Sequence, residues 1–185
     1  ILQTQFDQNV LDERNRLAVV VNDVSRLTGL SQAAIDRAAS EAASRGLEGQ
    51  YAIPLVNTSS QPYLSVLEDR SLRQEIMEAS LARNYSGQYS NTEVIVSASR
   101  LRAERASLLG YSSHAAYGLS NQTAQTVKAV NERLMSLSQK AVVNAQREAG
   151  LLQDLITSEG HDFELASWDW PYYSDKLKQQ LYSFD

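Results

Sequence analysis

Residues 127–156 read VKAVNERLMSLSQKAVVNAQREAGLLQDLI, and this stretch decides the fold class. Apolar side chains recur at Val127, Val130, Leu134, Leu137, Ala141, Ala145, Ala149, Leu152 and Ile156, always three or four residues apart. Such spacing holds one stripe on one side of a 3.6-residue helix, so a long amphipathic helix is expected near Val127–Ile156. Thr126 stands where a hydroxyl caps the first turn. Gly150 lies inside the pattern, costs ~1 kcal/mol relative to alanine and permits a break there.

Helical patterns continue toward the N-terminus. Asn91 precedes a helix expected over Thr92–Leu109, with Gly110 as a left-handed stop. Ser71-Leu72-Arg73-Gln74 has the form of a capping box and opens a helix to about Arg83. Ser31 starts an alanine-rich helix that Gly46 closes. Pro62 suits the first turn of a short helix through Leu67, and Ser113 precedes a turn over His114–Leu119. Beyond the long helix, Asp169 is placed to cap a helix through Leu181, with Pro171 in its first turn.

Two segments read as strand, Leu17–Val21 and Tyr51–Val56. Pro54 lacks an N–H and confines the second to an edge. The helix after Ser31 lies between them, and a β-α-β connection predicts parallel pairing with that helix packed over the strands. The expected fold is mainly α: a single helical piece over residues 1–185 carrying one small two-stranded β element.

Composition narrows the function. The chain has 185 residues, 43% hydrophobic and 21% charged, enough for one core or one lobe of something larger. Its net charge is -5 and no Lys/Arg run forms a basic stripe, so nucleic acid and anionic membrane surfaces are not expected partners. No apolar run approaches the ~20 residues of a membrane helix. The absence of cysteine removes disulfides, thiolate metal ligands and thiol catalysis. The first residue is Ile1 with no signal-like region, so a chain trimmed at its start and a cytoplasmic protein are expected. Asn57, Asn84 and Asn121 head Asn-x-Ser/Thr triplets, which chance supplies freely.

A hydrolytic zinc helix needs two histidines one turn apart with a glutamate beside the first. Here His114 and His161 stand far apart, and His161-Asp162-Phe163-Glu164 has no second histidine. Ser136 and Lys140 are four apart, as any polar helix face provides. Asp12-Glu13 are sequence neighbours that diverge in direction, and no Lys-Ser/Thr follows Gly46 or Gly49 as a phosphate loop requires. Trp168-Asp169-Trp170-Pro171-Tyr172-Tyr173 is read first as packing, since Trp and Tyr bury large areas with one polar atom bonded. No catalytic, cofactor-binding or metal-ligating residue is assigned.

Three segments, taken in order, resemble the zinc peptidases that include thimet oligopeptidase, neurolysin, oligopeptidase A and bacterial peptidyl-dipeptidase. Phe6-Asp7-Gln8-Asn9-Val10-Leu11 followed by Leu27-Thr28-Gly29-Leu30 is similar to the family's "F-x-x-N-V-L" helix and "L-x-G-L-P" turn, with Ser31 in place of the proline. Leu55-Val56-Asn57-Thr58-Ser59-Ser60-Gln61-Pro62 is similar to the "L-x-N-T-x-x-Q-P" of the peptidyl-dipeptidase branch. Arg102 to Tyr111, then His114-Ala115-Ala116-Tyr117 and Trp168-Asp169-Trp170-Pro171-Tyr172-Tyr173 through Lys176, resemble the family's "R-x-x-x-A-x-L-L-G-Y/F", "H/Y-A-x-Y/W" and "W-D-x-x-Y-Y-x-x-K/Q" segments. Ser167 and Val127 stand where the family often has proline.

The resemblance implies a parent enzyme that hydrolyses short peptides with a zinc-activated water and a glutamate base. It places the His-Glu-x-x-His helix downstream of "W-D-x-x-Y-Y". The chain is therefore expected to be the part before the catalytic domain, a wall of the substrate channel holding no zinc itself. A fragment of this kind is also expected to expose apolar surface through which it can self-associate. The alternative is a freestanding helical interaction module without enzymatic activity.

Overall fold

The computed structural model describes residues 1–56 and 61–182. Among these the chain is mainly helical: α1 (Leu2–Arg16), α2 (Gln32–Ser44), α3 (Arg70–Leu81), α4 (Thr92–Leu108), α5 (His114–Leu119), α6 (Val127–Ser158) and α7 (Trp170–Tyr182). Two strands, β1 (Ala18–Val21) and β2 (Tyr51–Pro54), and single 3-10 turns at Val24–Leu27 and Pro62–Ser65 complete it. The Asn57-Thr58-Ser59-Ser60 motif lies outside the described residues.

Two compact units form. One comprises Ile1–Gln8 and Asn91–Glu148, the other Asn9–Ser90 and Ala149–Asp185. In the first, Val94 and Ala106 of α4 are buried, and the buried Asn91 donates from its amide to the Phe6 carbonyl at 3.2 Å. α4 ends as expected on Gly110 at φ 79°, with Tyr111 N–H donating back to the Ala106 carbonyl. Asn91 occupies the N-cap position of α4 without a side-chain cap bond, and its amide Nδ2 donates to the Phe6 carbonyl.

The second unit holds two apolar clusters. Val21, Leu27, Ile53, Leu55, Leu64, Leu67, Leu72 and Ile76 form one, and Leu152, Leu155, Ile156 and Tyr173 the other. α2 lies on β2 with Ala34, Ala38 and Ala42 buried. This is a stripe of small side chains at i, i+4 and i+8 that lets the helix come close to Ala52. Ser31 caps α2 as expected, accepting from Ala34 N–H.

The strands pair where expected, but antiparallel: Val21 sits opposite Tyr51 and Ala18 opposite Pro54. The parallel expectation was wrong because the connection is not a single crossover helix. It contains the 3-10 turn at Val24–Leu27, a reversal at Thr28–Leu30 and then α2, and it re-enters the ladder at the end where it left. Chain reversal inside the connection, not the presence of a helix, sets strand direction.

Three further expectations shift locally. α3 starts at Arg70 and is capped by Asp69, whose carboxylate accepts from Leu72 N–H at 2.9 Å; Ser71, expected as the cap, instead donates its hydroxyl to Asp69 at 2.6 Å. The turn after Pro62 is a 3-10 turn ending at Ser65. The strands are shorter than their apolar runs by one and two residues. Thr126 caps α6, accepting from Ala129 N–H, and the helix passes Gly150 and ends at Ser158.

Gly29 decides how the β1 end meets the segment before α3. Its φ is +96°, and a Cβ there would stand 2.0 Å from the Val66 carbonyl oxygen, while Glu68 N–H donates to the Thr28 carbonyl next to it. Both the left-handed backbone and the close approach require glycine. Gly29→Ala should lower stability by more than about 2 kcal/mol, combining backbone strain with a displaced main chain. Chemical denaturation of the variant measures it, and a loss within 0.5 kcal/mol, roughly that of a neutral surface change, would contradict the account.

Candidate functional site

The densest cluster of charged chemistry lies at the start of α7 in the second unit. Asp169 has no exposed surface, and its carboxylate is shared by two arginines of α3. Arg70 approaches with Nε at 3.1 Å from both oxygens and Nη2 at 2.8 Å from one, and Arg73 brings Nη2 to 2.9 Å from the other. Ala166 N–H adds a third donor at 3.1 Å. Asp169 sits at the position expected for the α7 cap, yet its carboxylate turns to these groups rather than to the first turn of α7.

The arginines are held in turn. Arg73, 1% exposed, donates Nη1 to the carbonyls of Leu67 and Glu68 and lies 4.3 Å from the Tyr172 ring centre. Arg70 donates to the Glu164 carbonyl and stacks on Phe163 at 4.0 Å. A buried carboxylate needs such partners, because an unpaired charge in the interior costs several kcal/mol. The cluster binds itself, and every acceptor oxygen of Asp169 is used. Its chemistry is that of a clamp joining residues 163–172 to α3.

A second network flanks it. Arg26 pairs with Asp69 at 2.8 Å and Glu75 at 2.9 Å. Burial pushes the Asp69 carboxyl up, but donation from Arg26, Ser71 and Leu72 N–H outweighs it and holds the pKa at about 2. The same partners, first Glu75 and then Asp69, raise that of Arg26.

The family-like motifs also resolve into structural roles. Gln61, buried, accepts from Val56 N–H and donates to the Val56 carbonyl and the Ser80 hydroxyl, closing the segment on either side of residues 57–60. Asn9 donates to the Ser90 carbonyl, and Asn84 donates to the carbonyls of Asn9 and Tyr89. His114 meets Tyr117, itself in edge contact with Tyr111 and 5.0 Å from Arg105. His161 is exposed and stacks on Phe163, Glu13 pairs with Arg16, and Ser136 and Lys140 are exposed on α6. Among the described residues no group of His, Cys, Asp or Glu stands close enough to hold a metal ion, so a zinc site does not fit these side chains. A shallow groove of about 340 Å³ beside α2 and β2 is lined by Arg37, Glu41, Ala52 and Tyr63. Among the described residues no helix is long and apolar enough to cross a membrane.

Residues 64–185 match the model of peptidase family M3, and the chain belongs to that family. It is 30% identical over its whole length to the dipeptidyl carboxypeptidase of Escherichia coli (strain K12), covering 27% of that protein. It is 31% identical to oligopeptidase A of Haemophilus influenzae (strain ATCC 51907 / DSM 11121 / KW20 / Rd), over 100% of this chain and 28% of that one. The probable cytosolic oligopeptidase A of Arabidopsis thaliana is 29% identical, again over 100% of this chain and 27% of the relative. The chain thus spans about a quarter of the length of the curated relatives it matches.

Arg70 and Arg73 were not singled out in the sequence. Their i, i+3 spacing on a helix was the available signal, but nothing local names Asp169 as their partner 99 and 96 residues away.

Asp169→Ala should destabilise the chain by about 3–5 kcal/mol, because it strands two guanidinium groups, one of them buried. Thermal unfolding beside Asp162→Ala, an exposed control, measures this; equal behaviour of the two would contradict it. For Asp69 the folded pKa lies below the unfolded one, so its stabilisation is present above pH ~4 and lost as pH falls toward 2. The contribution is up to about 2 kcal/mol, and Asp69→Asn should flatten the acid limb of the stability curve in that window. An unchanged limb would remove the Arg26–Asp69 reading.

Proposed function

We propose that this chain is a non-catalytic portion of a zinc-dependent peptidase that hydrolyses short peptides, and that it forms part of the wall of the substrate channel ahead of the catalytic domain. No residue of the chain itself would then act as catalyst or metal ligand. The observation that carries the reading is the full-length similarity to dipeptidyl carboxypeptidase, at about a quarter of that relative's length.

Within the family we favour release of C-terminal dipeptides over internal cleavage, on the Asn57-Thr58 and Gln61-Pro62 motif and on the dipeptidyl carboxypeptidase relatives. Such an enzyme must recognise a free substrate carboxylate through fixed donors. A cytoplasmic protein is proposed with it, in line with the name of the cytosolic plant relative.

The test uses the full-length parent and, in parallel, the 185-residue chain. Each is incubated with a free-carboxylate oligopeptide and its C-terminally amidated twin, with and without chelator, and products are identified by mass. The parent should release dipeptides from the free peptide only, and lose all activity to chelator. The chain alone should cleave neither and retain no stoichiometric zinc through gel filtration. Chelator-insensitive cleavage, or none, by the parent would remove the metallopeptidase reading. Equal internal cleavage of both peptides would remove the dipeptidase assignment alone, and zinc held by the chain would overturn its non-catalytic role.

A further inference from the structure

We draw no further inference here: the strongest candidate, the groove between the start of α1 and α4 lined by Phe6, Val94, Ala98 and Arg102, carries none because nothing in the structure shows what covers it.

Discussion

A carboxylate wholly withdrawn from water organises the larger unit. Asp169 is shared by Arg70 and Arg73, and the geometry extends outward from that sharing. Arg73 also gathers the carbonyls of Leu67 and Glu68, which brings the turn before α3 under the start of α7. Arg70 is flattened against Phe163, which belongs to the apolar cluster of α6 and α7. One ionic centre therefore joins the two apolar clusters, which have no buried residue in common. Its net contribution to stability is modest, since desolvation offsets attraction, but any single deletion leaves charge stranded in the interior. Such an interaction selects one arrangement of residues 163–172 on α3 over others that would bury similar apolar area.

The aromatic segment 168–173 is accordingly scaffold. Tyr172 faces Arg73, Tyr173 is buried in the α6–α7 cluster, and Lys176 beneath them pairs with Glu159. Gln61, Asn9 and Asn84 similarly spend their amides on main-chain groups. A family-like motif made of such residues marks positions where backbone must be held by side chains. This agrees with a chain that belongs to peptidase family M3 while presenting, among its described residues, no grouping suited to a metal.

Most helices were legible because periodicity, caps and stops are local. Val127, Ser31, Ser113 and Gly110 act where the pattern placed them. What escaped was long-range. Strand direction depended on how many times the chain reversed between Val21 and Tyr51, which no local signal encodes. Asp69 displaced Ser71 as a cap because Arg26, far upstream, fixes its carboxylate. Asp169 gave up its cap role to arginines nearly a hundred residues earlier. For Asp169 the distant charged partners displaced the local role, whereas Asp69 keeps its cap bond while pairing with Arg26.

Hydrogen exchange across the larger unit tests the clamp most directly. In Asp169→Asn, which keeps the shape and removes the charge, the amides of residues 163–182 and of 67–73 should lose protection together, by more than those of the β1–β2 ladder. That pattern is a local release of α7 from α3. If α7 keeps its protection, or if all amides of the unit lose it by one common factor, Asp169 is not what joins the two clusters.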